Sequence, residues 1–147
     1  MRIEKITERK KRFLELLLLG DEQEDMIDRY LERGEVFALF DPDLKSICVV
    51  TDEGNATCEL KNLATYAAFQ GRGYGTRLVE YLFRHYHGKY AAMVVGTGEV
   101  PGLLAFYERL GFRFSHRLKN FFTVNYREPI VECGVRLVDM ICLKKSL

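Results

Sequence analysis

The chain has 147 residues, 48% of them hydrophobic and 29% charged, with a net charge of +1 from 22 Lys and Arg against 21 Asp and Glu. That length fits one domain, residues 1–147, with a real core, and the near-neutral balance leaves no electrostatic footprint for nucleic acid. No stretch approaches the ~20 consecutive apolar residues of a membrane helix, so neither a nucleic acid nor a membrane is the expected partner.

Residues 1–7 alternate as a short strand. Residues 9–19 read as a helix stopped by Gly20, and the run Arg9-Lys10-Lys11-Arg12 reads as its solvated face rather than as an anion-binding patch. The basic residues before FLELLLL imitate a secretory signal, but Glu15 interrupts that stretch and DEQED follows where a small-residue cleavage site is required. Residues 22–32 form a second helix with Met26, Ile27, Tyr30 and Leu31 on one face. Three strands follow at 36–40, 46–51 and 57–65, divided by the turn signals Asp41-Pro42-Asp43 and Asp52-Glu53-Gly54-Asn55, which makes an antiparallel meander. A helix at 74–86 carries the stripe Leu78, Val79, Leu82 and Phe83. YAAMVV at 90–95 lacks polar alternation, which suits a central strand reached through a helical crossover. A short helix at 102–110 ends at Gly111, and strands at 112–118 and 136–143 finish a mixed α/β sheet of about seven strands.

Cys48, Cys58, Cys133 and Cys142 have no C-x-x-C spacing, and His85, His87 and His116 are scattered, so no metal is expected. Free thiols point to a reducing cytoplasm. The chemistry concentrates instead in FQGRGYGT at 69–76. Glycine is the residue most costly to order, so Gly71, Gly73 and Gly75 at alternate positions serve a backbone requirement. The loop lacks the lysine of a P-loop, and Thr76 stands where the dinucleotide fingerprint needs its third glycine. Two readings remain: a plain tight turn, or a backbone cradle for a phosphate-bearing ligand at the start of a helix whose first amides are unpaired, with Arg72 as a supplementary charge.

The surroundings favour the cradle. Gln70-Gly71-Arg72-Gly73-Tyr74-Gly75 matches the pattern Q-x-x-G-x-G, and Phe106-Tyr107-Glu108-Arg109-Leu110-Gly111-Phe112 matches F-Y-x-x-x-G-F, in the order and with the intervening strand found in the GNAT superfamily of acetyl-CoA-dependent N-acetyltransferases. The chain resembles that family from about residue 36 to 143. The resemblance implies a GNAT-like fold, mostly antiparallel with helices on both faces, and acetyl-CoA as co-substrate. It also implies a pyrophosphate on the amides of Gln70, Gly71, Arg72, Gly73, Tyr74, Gly75 and Thr76, and a pantetheine arm along Leu63, Ala64 and Thr65 like an added strand, with Phe106 and Tyr107 beside it. Two departures stand out: Ala67 and Ala68 replace a proline common before the loop, and no asparagine lies between Gly96 and Gly102, so either Thr97 takes over that cofactor contact or the contact is absent.

Acetyl transfer to an amine of pKa near ~10 calls for a base, and Glu59 on the strand facing the cofactor is the best-placed carboxylate; the alternative is a solvated or cross-strand-paired residue. Tyr107 matches the family's proton donor to the leaving thiolate, against a purely space-filling role beside Leu103 and Phe106. The connection at 119–134, with Phe121, Phe122 and Tyr126, is too long for a turn and suits the wall of an acceptor pocket, with Asn125 and Tyr126 as contacts. Otherwise its aromatics pack on the core or on a second subunit of a homodimer. The expected protein is a cytoplasmic N-acetyltransferase acting on a small-molecule primary amine. The rivals are a non-catalytic acyl-CoA-binding regulator and an acetyltransferase of protein N-termini or lysines.

Overall fold

Alternation of apolar side chains along five of the strands produces a sheet with a core on each face. The computed structural model describes residues 1–147. Strands β1 (Arg2–Ile6), β2 (Glu35–Phe40), β3 (Leu44–Gly54), β4 (Thr57–Thr65), β5 (Ala92–Gly98), β6 (Arg113–Leu118) and β9 (Met140–Ser146) form one seven-stranded sheet in the order β1-β2-β3-β4-β5-β9-β6. Strands β7 (Val131–Glu132) and β8 (Val135–Arg136) make a separate hairpin. All neighbours in the large sheet are antiparallel except β4 and β5. The parallel pair is joined through α3 (Tyr74–Tyr86), the crossover that such a pair requires.

Phe37, Leu39, Cys48 and Val50 face α3 and pack with Leu78, Leu82 and Tyr86. Val36, Ala38, Ile47 and Val49 face the other way, onto Leu16 and Leu17 of α1 (Leu14–Gly20) and Ile27 of α2 (Glu24–Asp28). Each fully buried aliphatic side chain of this kind contributes about 1.5–3 kcal/mol. The remaining helices, α4 (Pro101–Arg109) and α5 (Phe121–Asn125), flank the carboxyl half of the sheet.

The helix expected at 9–19 starts later, because Arg9 adopts a left-handed φ of 49° and residues 10–13 wind as a 3-10 turn. Lys10 leaves the solvated face assigned to it. It is buried, and its ammonium donates to the carbonyls of Leu31 (3.3 Å), Glu32 (3.0 Å) and Gly34 (2.7 Å). Those bonds satisfy the turns that follow α2, which ends at Asp28 rather than at 32. Strand β5 runs on through Gly96 and Gly98 because the space of their missing side chains is filled by Met140 and Leu137, whose atoms lie 2.3 and 2.6 Å from an added Cβ. The last strand is displaced toward the carboxyl end of its expected span, since Arg136 belongs to the β7–β8 hairpin.

Candidate active site

A one-residue irregularity in β4 opens the sheet. Val49 pairs with Asn62 and Val50 with Leu60, so Lys61 is an extra residue, a β-bulge. The bulge reverses the alternation: Cys58 and Leu60 pack into the α3-side core, whereas Ala64 packs into the α1-side core. Pairing of β4 with β5 stops at Leu60–Val95, while β5 continues along β9 to Gly98. Beyond the bulge, Leu63, Ala64 and Thr65 therefore present an edge with no strand beside it, and a cleft of about 1040 Å³ runs through the split.

The glycine loop closes one end of this cleft. Gly71 and Gly73 have φ of 78° and 84°, the left-handed region that glycine enters at no steric cost, and an added Cβ at either would meet nothing within 4 Å. Their absent side chains leave open space above the backbone. The amides of Gly71, Arg72, Gly73, Tyr74, Gly75 and Thr76 donate to no acceptor in the protein. Gly73 is the N-cap of α3, so the last three belong to its first turn, at the positive end of its dipole. Six free donors at a helix start fit a pyrophosphate. Gly75 sits closer to the wall, where an added Cβ would touch the Phe106 ring at 3.6 Å.

Tyr107 comes from α4 onto the same cleft. Its ring packs edge-on against Phe106 and Phe112, with centroids 5.0 and 5.7 Å away, and its hydroxyl makes no hydrogen bond within the protein. Burial, and secondarily the charge of Glu132, hold the phenol well above its ordinary pKa, so it keeps its proton at neutral pH. Glu59 stands on β4 just before the split, still paired with Val94 on β5; it lines the cleft and makes an ion pair with Lys61 at 3.2 Å. Thr97 is buried on β5 and lines the cleft, as do Gln70, Tyr74 and Thr76.

The connection expected to wall the acceptor side folds into α5 and the β7–β8 hairpin. Ile130 and Leu137 join Val100 in a small core, with Phe122 and Tyr126 packed against it. Tyr126 lines the cleft. Asn125 and Arg72 do not: the Asn125 side chain donates to Phe121 O at 2.8 Å and accepts from Arg29 at 3.3 Å, and the Arg72 guanidinium stands 5.5 Å from the centre of the Phe69 ring.

Three lining residues escaped the sequence reading. Asp21 caps the end of α1, and its two carboxylate oxygens accept from Tyr126 (2.6 Å) and Tyr30 (2.8 Å). Burial pushes this carboxyl above the usual range, against the downward pull of the two phenols. Asn62 donates to Leu17 O (3.0 Å) and to the Tyr30 oxygen (3.1 Å), while its own buried carbonyl oxygen has no partner. Glu132, also raised by burial and then by Glu22, lines the wall from the hairpin. The one signal for Asp21 was its place directly after the helix-stopping Gly20; its phenol partners lie 9 and 105 residues away.

Gly20 has its own constraint. A Cβ there would lie 2.1 Å from Asn62 Oδ1 and 3.0 Å from Leu63 O. Because both amide hydrogen bonds hold Asn62 in place, Gly20→Ala is expected to cost about 1–3 kcal/mol and to lower Tm by several degrees. An unchanged melt would show that this contact yields freely.

Comparison with known proteins agrees with the geometry. The family model of the acetyltransferase (GNAT) domain matches residues 32–114. The uncharacterized N-acetyltransferase YvbK of Bacillus subtilis is 33% identical over all of this chain and 97% of its own length. A GNAT family acetyltransferase from Elizabethkingia anophelis, solved with acetyl-CoA bound, superposes with a TM-score of 0.93 at 35% identity, over 99% of this chain and 97% of that one. A Bacillus subtilis acetyltransferase in complex with CoA superposes with 0.89 at 32% identity, over 99% and 98%. A split mixed sheet, a free-amide loop at a helix start, a family match over more than half of the chain and a full-length relative converge on one assignment: this chain belongs to the GNAT family of N-acetyltransferases.

Proposed function

We propose that the protein, a single domain and cytoplasmic, moves the acetyl group of acetyl-CoA to the primary amine of a small molecule, by direct attack of the amine on the thioester. The observation that carries the small-molecule reading is the bridge across the acceptor end of the cleft. Tyr126 reaches Asp21, Gln23 donates to the Asn125 carbonyl at 3.2 Å, the Arg127 amide donates to Gln23 at 3.0 Å, and Arg127 pairs with Asp25. An extended polypeptide needs an open groove, and here residues 125–127 are tied to α2 and the turn before it. The four free cysteines are in keeping with a reducing compartment, and no helix is long and apolar enough to cross a membrane.

Acetyl-CoA and CoA occupy the relatives named above, and the residues present here suit the same ligand. The six free amides receive the pyrophosphate. The open edge at Leu63, Ala64 and Thr65 pairs with the amide groups of the pantetheine arm, with Thr97 and Phe106 on the opposite wall. Glu59 takes the proton of the attacking amine, and Tyr107 donates to the sulfur as thiolate charge develops.

Release of CoA, followed by thiol trapping with small primary amines and with peptides bearing free N-termini or lysines, tests the reading. Turnover of small amines alone supports it; turnover confined to peptides contradicts it. Glu59→Gln is expected to lower kcat/KM near neutral pH by about 10²-fold or more, the lower range for a general base. Activity should recover toward alkaline pH, as more of the amine is neutral without help. A pH profile of unchanged shape assigns the proton to water instead.

A further inference from the structure

The acceptor end of the cleft combines a carboxylate with an aromatic wall. Asp21 accepts from the two phenols and from the backbone amide of Gln23, all neutral donors, and the cation whose charge reaches it, Lys61, is already paired with Glu59 (3.2 Å); of the other cations of the cleft wall, Arg33 pairs with Glu53 (3.1 Å) and Arg29 donates to the Asn125 side chain (3.3 Å). A half-buried carboxylate whose hydrogen bonds all come from neutral donors is poorly compensated, and with three donors on about four lone-pair sites it keeps room for one more. An ammonium group supplies both the charge and the donors.

Tyr126, one of its donors, belongs to a group of three rings. Phe121 and Phe122 meet edge-on with centroids 5.4 Å apart, and Tyr126 lies 6.5 Å from the first and 5.7 Å from the second. Phe122 and Tyr126 are fixed against the small core of Val100, Ile130 and Leu137. Phe121 packs into none of the three cores, is half-buried and lines the cleft. Such rings bind an apolar body by burial and edge-to-face contact, and their faces also favour a nearby cation.

We propose that the acceptor is a small primary amine with an aromatic body, its ammonium received by the Asp21 carboxylate and its ring by Phe121, Phe122 and Tyr126. The proposal rests on the small-amine reading above and adds the substrate class. Asp21 is a binding residue in this scheme: it collects the protonated acceptor and does not take its proton.

The test uses 2-phenylethylamine, ethylamine and the neutral 2-phenylethanol, with wild-type protein, Asp21→Asn and Phe121→Ala. Calorimetry measures binding to the CoA-bound protein, and turnover with acetyl-CoA is measured separately. Wild-type protein is expected to bind 2-phenylethylamine about tenfold or more tightly than ethylamine, from burial of the ring. Phe121→Ala removes most of that ratio and leaves ethylamine unchanged. Asp21→Asn weakens 2-phenylethylamine by roughly tenfold to a hundredfold, the worth of a charge-assisted hydrogen bond, while 2-phenylethanol and CoA bind as before. Equal wild-type affinity for the two amines, or Asp21→Asn binding 2-phenylethylamine as tightly as wild type, overturns the proposal. Binding with these dependences but without acetyl transfer sustains the seat and removes the transferase reading. Transfer to small amines that is indifferent to both residues sustains the transferase reading and removes the seat.

Discussion

Gly73→Asp is expected to abolish CoA binding in a protein that still folds. The position has a left-handed φ of 84° and open space where a Cβ would be. Aspartate is among the few residues that tolerate this conformation, so the fold loses only about 1–2 kcal/mol. Its carboxylate, however, enters the space above the free amides. Two unit charges 4 Å apart near a protein surface repel by about 4 kcal/mol, roughly a thousandfold in affinity, and a pyrophosphate carries more than one. Gly73→Ala isolates the backbone and bulk effects from the charge. Calorimetry with CoA, alongside a thermal melt, reads both. A folded Gly73→Asp protein with unchanged CoA affinity would remove the pyrophosphate from this loop.

Tyr107→Phe is expected to lower kcat by about 10²-fold or more while CoA affinity and Tm stay near wild type. The ring contacts with Phe106 and Phe112 survive the change, and the hydroxyl that is lost bonds to nothing in the protein. A phenol raised above its usual pKa is a weaker acid than a free thiol of pKa ~8.5, which sets how Tyr107 acts. In the proposed reaction it stabilises the sulfur by hydrogen bonding as charge builds. Loss of kcat with unchanged binding marks an interaction made in the transition state. Equal turnover by the two proteins would reduce Tyr107 to packing.

Elements governed by local chemistry were legible in the sequence, and those governed by pairing were not. Helix α3 and strand β4 occupy the residues expected of them, because Gly73 and the turn at Asp52-Glu53-Gly54-Asn55 punctuate the chain locally. Helix α4 starts one residue early, at Pro101, a residue suited to a first helical turn. The bulge at Lys61 has no local signature, since an extra residue exists only relative to the partner strand. Helix α5 spans five residues, too short to show a period. The β7–β8 turn uses Cys133 and Gly134 with φ of 50° and 77°, and cysteine in place of asparagine or aspartate disguised the hairpin.

At the site, the motif-borne residues on the glycine loop and α4 were readable, because their spacing is short and fixed. Asp21, Asn62 and Glu132 were not, because what gives them chemical meaning is a phenol, a helix end or a buried wall contributed from elsewhere in the chain. Arg72 shows the converse: charge beside a glycine loop invited a phosphate role, yet its side chain lies outside the cleft.

A crystal structure of this protein with acetyl-CoA tests the cofactor site most directly. The pyrophosphate is expected within hydrogen-bond distance of the amides at residues 71–76, the pantetheine arm along Leu63, Ala64 and Thr65 in the split between β4 and β5, and the thioester sulfur against the Tyr107 hydroxyl. A cofactor bound outside the split, or a thioester remote from Tyr107, would contradict this placement.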